Sequence, residues 1–213
     1  MYLSYQQNKN KWLVLVCFFI VSVQNAKSQV NIKGNGLFAP FGIINIGVET
    51  AIKNNFAVQG ELFISPWKSF AGKHLQIGMG TLDGRYYFNN NQKGWYAGGY
   101  FSAAVFNLQK WNYLKATEDY LDRERTMPIY NEDGTIRKSE KYQKGYTFIL
   151  GMMAGYKIVF NQRWGMDIYM GVGNSQGLYK GYYKNTNERY DIWVENWDKS
   201  GEWIISRGGI MFT

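Results

Sequence analysis

From Ile44 onward the chain alternates between apolar and polar or small residues with a period of two. In INIGVETAI (44–52), Ile44, Ile46, Val48, Thr50 and Ile52 share one face, and Asn45, Gly47, Glu49 and Ala51 share the other. In FAVQGELFI (56–64), Phe56, Val58, Leu62 and Ile64 oppose Ala57, Gln59, Glu61 and Phe63. In GMDIYMGVG (165–173), Met166, Ile168, Met170 and Val172 oppose Asp167, Tyr169, Gly171 and Gly173. Near the end, Ile204, Ile210 and Phe212 oppose Arg207 and Gly209. Successive side chains of a strand point to opposite sides, so each segment predicts a strand with two unlike faces. HLQIGMGTLDGRYYF (74–88) changes phase partway, which predicts a β-bulge near Gly80, because one extra residue restores the faces. GWYAGGYFSAAVF (94–106) reads as a strand of ambiguous facing.

The run GYTFILGMMAGYKIVF (145–160) raises a question of its own, because Gly151 and Gly155 have the spacing of a packed membrane helix. As a helix it would reach roughly 24 Å, short of the ~30 Å hydrocarbon core; as a tilted strand, ~9–11 residues suffice. The strand assignment turns Phe148, Leu150, Met152, Ala154, Tyr156, Ile158 and Phe160 to one face and Thr147, Ile149, Gly151, Met153, Gly155 and Lys157 to the other.

Eight strands result, near 30–39, 44–53, 56–65, 74–88, 94–108, 143–160, 163–175 and 203–213. Polar connections at 53–55, 89–93 and 161–162 are short, whereas those at 66–73, 109–142 and 176–202 are longer. Short turns on one side and long loops on the other are the asymmetry of outer-membrane barrels. The minor faces carry glycine, carboxylate and arginine, which suits a narrow lumen better than a water-facing surface. Phe56, Trp67, Phe88, Trp95, Trp111, Phe160, Trp164 and Trp203 fall at strand ends, where interfacial aromatic girdles belong. The expected fold is an all-β, eight-stranded, antiparallel up-and-down transmembrane β-barrel.

Composition agrees. Aromatics make up 18%, with 24 glycines and 3 prolines in 213 residues. Residues 1–28 read as a signal peptide: Lys9 and Lys11 precede the apolar run 12–23, and Ala26 and Ser28 are small residues before a cut at Gln29. The barrel domain is then 29–213, in the outer membrane of a Gram-negative cell envelope. Cys17, the one cysteine, lies in the leader, so the mature chain has no disulfide and no thiolate metal site. Of 24 basic residues, three lysines lie in 1–28, leaving 21 against 16 acidic ones with no basic stripe. Nucleic acid is excluded as a partner.

Asn45–Glu49 (NIGVE), Leu82–Phe88 (LDGRYYF), the glycine-rich 145–156 and Arg207–Ile210 (RGGI) occur in that order. Together they resemble an uncharacterised, domain-of-unknown-function family of small outer-membrane β-barrels. The resemblance implies the eight-stranded barrel and no established activity.

Parity places Glu49, Glu61, Asp83, Arg85, Asp167 and Arg207 in the lumen, with Lys157. Charges there must pair, which predicts a salt-bridge network that fills the barrel. His74 is the single histidine, near Ser65, Ser69 and Glu61 in sequence, and defines a rival reading as a rim-active lipid-modifying enzyme. A soluble periplasmic ligand-binding barrel is a further alternative. One histidine and no mature cysteine cannot build a three-histidine zinc site, and no cofactor or metal is expected. Tyr179, Tyr182, Tyr183, Tyr190, Trp193 and Trp197 in 176–202 are candidate loop contacts for an envelope or extracellular protein or glycan, beside outer-membrane lipid. The expected role is non-enzymatic: structural, or interaction through the loops.

Overall fold

The computed structural model describes residues 30–109, 118–119, 138–139, 141–161, 163–184, 186–190 and 197–213. The leader, most of 109–142, Trp111 and Trp193 lie outside the described residues.

Eight strands form a closed antiparallel barrel: β1 (Val30–Asn35), β2 (Ile44–Lys53), β3 (Phe56–Phe70), β4 (Lys73–Tyr87), β5 (Gly94–Leu108), β6 (Lys141–Val159), β7 (Gly165–Tyr183) and β8 (Asp198–Phe212). Each pairs with its sequence neighbours, and β8 returns to β1. A two-residue ladder, Glu118–Asp119 with Lys138–Ser139, lies in the connection between β5 and β6. No described helix is long and apolar enough to cross a membrane. The run 145–160 is the body of β6, and its glycines face the lumen.

The turns after β2, β4 and β6 lie at one end, here the lower one, together with Val30 and Thr213; Thr213 and Gly165 exchange backbone hydrogen bonds there. The connections after β1, β3, β5 and β7 lie at the upper end. Three boundaries differ from the sequence pattern. β3 and β4 stay paired to Phe70↔Lys73, so 66–73 is strand closed by a turn at Ala71-Gly72, both with positive φ. A two-residue turn of this handedness matches the twist of the strands it joins. β7 runs on to Tyr183 and β8 begins at Asp198, so 176–183 and 198–202 are paired strand. β1 stops at Asn35, and a 3-10 turn (Ala39–Phe41) leads into β2.

Side-chain facing follows the alternation, with two corrections. β4 pairs without a break past Gly80 on both sides, so there is no bulge there. Ile77 and Met79 therefore face the lumen alongside Thr81, Asp83 and Arg85. The extra residue sits in β8 instead: the register shifts between Ile205 and Arg207, leaving Ser206 unpaired and putting Ile204 on the lumen side with Arg207. β5 is unambiguous: Tyr96, Tyr100, Ser102 and Ala104 are buried inside, and Trp95, Phe101 and Val105 face out.

The barrel closes through few bonds. β1 and β8 share two residue pairs, Gly34↔Phe212 and Asn35↔Met211, followed by Gly36 N–H donating to Ile210 C=O at 2.9 Å. Above Ile210, β8 has no backbone partner on this side among the described residues. Every other seam has a longer ladder, from five pairs between β1 and β2 to nineteen between β6 and β7.

Candidate functional site

The lumen has two halves of opposite chemistry. The lower half is ionic. Glu49, fully buried on β2, accepts from Lys33 Nζ (2.8 Å), Arg85 Nη1 (3.1 Å), Tyr87 Oη (3.0 Å) and Lys157 Nζ. Asp167 on β7 accepts from Lys33 (2.7 Å), Arg85 Nη1 (2.6 Å) and Tyr96 Oη (2.7 Å). Asp83 takes Arg85 Nε at 2.7 Å and Arg207 Nη1 at 2.9 Å. Glu61 takes Arg207 Nη2, with Asn45 Nδ2 (2.8 Å), Gln59 Nε2 (3.2 Å) and Tyr169 Oη (3.2 Å) completing its shell.

Four carboxylates thus face four cations, and the cluster is neutral as a whole. Neutrality matters here, since an isolated buried charge costs many kcal/mol while a paired, fully hydrogen-bonded one is tolerated. The tyrosines have two roles. Their hydroxyls fill the remaining carboxylate lone pairs, and their rings lie under the cations. Arg85 sits 4.9 Å from the Tyr96 centroid, Lys157 5.7 Å from Tyr87, and Arg207 5.1 and 5.2 Å from Tyr100 and Tyr169.

Glu49, Glu61, Asp83, Arg85, Lys157, Asp167 and Arg207 all lie in this one cluster. Lys33 is the member that the alternation of the longer strands does not reveal. Its only sequence signal is VNIK (30–33), where Val30 and Ile32 point out and Lys33 in. The room beside Gly151 and Gly155 is taken by the Tyr100 and Tyr96 rings, and Arg207 lies over Gly171.

Above the ions lies a cavity of about 680 Å³. Its floor includes Glu61, Asn45, Tyr169 and Arg207. Its wall is Phe63, Ile77, Met79, Ala104, Ile149 and Ile204, and Phe38 leans in from the β1–β2 connection. Phe38 packs edge-on against Phe63, with ring centroids 5.4 Å apart. Polar side chains ring the upper mouth: Gln143, Thr147, Ser175, Ser200 and Glu202.

The extended upper rim is aromatic. Tyr142 stacks on both His74 (4.8 Å) and Tyr182 (5.4 Å), and Tyr183 meets Tyr190 edge-on at 5.7 Å. Lys180 lies over Trp197, which also meets Tyr146. Tyr179, Tyr182 and Tyr183 are therefore strand residues of β7, while Tyr190 and Trp197 flank its connection to β8. Ser65 and Glu61, near His74 in sequence, make contacts of their own. Ser65 Oγ donates to Leu75 C=O at 2.5 Å, and Glu61 belongs to the ionic cluster. Among the described residues no group of three or more His, Cys, Asp or Glu is arranged to hold a metal ion.

The outside inverts the inside. Ile44, Ile46, Val48, Leu82, Phe101, Leu150, Met152 and Met170 are exposed on the outer wall. Phe56, Tyr86, Phe88, Trp95, Tyr156, Phe160 and Trp164 gather beside the lower turns, and Phe41, Trp67 and Trp203 stand higher on the wall.

No curated protein and no solved structure matches the chain. One family model does, over residues 13–201, which takes in seven of the barrel strands and the start of β8. The chain belongs to that family, described as a protein of unknown function (DUF3575).

Proposed function

We propose that this protein is a non-enzymatic outer-membrane β-barrel whose role is structural or interactive, exercised through its upper rim. The observation that carries the reading is the inversion of polarity across the wall: exposed large apolar side chains outside, a neutral ionic cluster within. In water such an outer wall would be a large aggregation-prone patch. In a bilayer it is the expected outer surface, bounded by aromatic girdles. On β3 the ten residues between Phe56 and Trp67 match the ~9–11 tilted residues that cross hydrocarbon.

The ionic half bears on transport. Its charged groups are committed to one another and pack with tyrosine rings across an eight-stranded barrel, whose interior is only as wide as its side chains. The protein is therefore a plugged barrel and no general porin. His74 and Glu61 are engaged in different contacts, which favours binding over chemistry at the rim.

Fractionation of cells tests the location: the protein is expected in the outer-membrane fraction, with a gel mobility that shifts on boiling in detergent. Recovery in the soluble periplasm would overturn the reading. Epitope insertion tests the orientation. A tag at Ala71-Gly72 should be stained on intact cells and one at Asn54-Asn55 should not; the reverse result inverts the barrel.

A further inference from the structure

We infer that the upper lumen is a binding site for a single acyl chain, entered sideways from the bilayer through the seam between β1 and β8. The inference rests on the membrane reading above, and three features carry it.

The first is the cavity itself. About 680 Å³ lies within the range of small-molecule sites, and its middle is walled by Phe63, Ile77, Met79, Ala104, Ile149 and Ile204. Among them, Ile77 and Met79 on β4 and Ile204 on β8 are positions where those strands depart from the polar-inside pattern of membrane barrels. A lumen built only to be plugged would continue the ionic network upward. This one changes to apolar side chains and leaves the space open.

The second is a doorway. β1 ends at Asn35 and its ladder with β8 ends one bond later, at Ile210. Beside that gap the cavity is lined by Gly208 and Gly209, which carry no side chain of their own; the Asn35 amide packs against Gly209 at the end of the ladder. It also reaches Met170 and Ile205, which are 58% and 69% exposed on the outer wall. A cavity lined by both inner and outer residues at an unpaired seam opens through the wall. Trp203, 70% exposed, stands above this opening on β8, so the doorway lies within the apolar belt. What reaches a doorway at that height comes from hydrocarbon.

The third is the polar mouth. Gln143, Thr147, Ser175, Ser200 and Glu202 make a polar ring above the apolar wall, in which Thr147 bonds Ser175 and Gln143 donates to Tyr190. An amphiphile fits that order, with its head at the mouth and its chain below, ending over the ionic floor. A wholly apolar ligand would leave the mouth unused.

The test uses the full mature chain, refolded into phosphatidylcholine–phosphatidylglycerol vesicles. One preparation carries a diazirine on a free long-chain fatty acid, the other on a phospholipid acyl chain; together they tell the two sources apart. After photolysis, adducts are mapped by mass spectrometry. Adducts on Met79, Ile149 or Ile204 from either probe support the site, provided unlabelled fatty acid or lysolipid competes them away while those on outward Leu150 and Met152 persist. Ala104→Trp, which fills the cavity and leaves the outer wall unchanged, should cut the inner adducts several-fold. Adducts confined to Leu150, Met152 and their outer neighbours, with neither probe reaching the inside, would overturn the proposal. So would inner adducts that no competitor removes. Failure of the membrane reading looks different: Leu150 and Met152 then escape labelling, and the inner adducts judge the cavity by themselves.

Discussion

Replacing Arg85 by leucine is the most direct measure of what the ionic cluster contributes. Arg85 is fully buried and spans three strands, bonding Asp83 on its own strand, Glu49 on β2 and Asp167 on β7. Leucine fills much of the space but leaves the cluster with one uncompensated negative charge. Breaking a buried pair by deleting one partner costs ~3–5 kcal/mol. The lower part of that range applies, because no carboxylate is stripped bare. Glu49 keeps Lys33, Lys157 and Tyr87; Asp167 keeps Lys33 and Tyr96; Asp83 keeps Arg207. A loss of ~3 kcal/mol is therefore expected, read as a lower urea midpoint at unchanged slope for the barrel refolded in vesicles. The deficit should survive added salt, since buried pairs are little screened. Arg85→Lys should recover part of it, keeping the charge and losing the fork to Asp83. If Arg85→Leu unfolds within ~0.5 kcal/mol of the parent, as surface substitutions do, the cluster is a solvated filling rather than a structural core.

Three further outcomes follow from particular contacts. Gly155→Val should destabilise by ~1–3 kcal/mol, because a side chain there overlaps the Tyr96 ring and the Ile168 carbonyl and displaces Tyr96 from Asp167; Gly80→Ala, with open space around it, is the neutral control in the same urea titration. Deleting Ser206 should leave a barrel that still shifts on boiling, since the remaining pairs stay in register and only the hydroxyl contact to Tyr100 is lost, whereas inserting one residue after Gly80 turns half of β4 inside out and should abolish the shift. Lys33→Met should lower the urea midpoint more than Lys157→Met, because Lys33 bonds Glu49 and Asp167 on opposite sides of the closure while Lys157 bonds Glu49 alone; equal losses would deny the closure any special dependence on Lys33.

What the sequence displays depends on how strictly the alternation holds. β2, the lower part of β3 and the middle of β6 and β7 keep two unlike faces, so their lumen charges can be placed by parity alone. β1 is too short to establish a period, and Lys33 is hidden for that reason. In β4, Ile77 and Met79 look like outward residues because they are apolar; the rule that polar residues face inward assigns them to the wrong wall and requires a bulge to compensate. The actual bulge, at Ser206, leaves no compositional trace, since Ile204 and Ile205 are equally apolar and only the ladder tells which is inside. Tyr179, Tyr182 and Tyr183 resemble loop anchors because strand continuing beyond the apolar belt no longer needs apolar side chains. Each misplacement falls in the upper half of the molecule.

That clustering has a physical cause. In the lower half, most lumen side chains satisfy a charged or hydroxyl neighbour, so chemistry and facing are locked together. In the upper half the lumen is apolar like the outer wall, and hydrophobicity no longer distinguishes inside from outside. The seam divides along the same line. Where β1 pairs with β8, Lys33 reaches across to Asp167 on the far side and to Glu49 on the near side, so two ion pairs reinforce a closure made by few backbone bonds. Above Ile210 the ladder stops and there is no such staple. A barrel that closed tightly over its whole height would need β1 to continue beyond Asn35; here the chain turns away, and Phe38 and Phe41 occupy the rim instead. The ionic half therefore holds the cylinder together, which lets the backbone ladder between β1 and β8 stop short in the apolar half. In the bilayer proposed for this protein, exchanging the two chemistries would set charges at the seam where the ladder stops and leave no electrostatic closure where the barrel's ends meet, an arrangement opposed by the cost of unpaired polar groups in lipid.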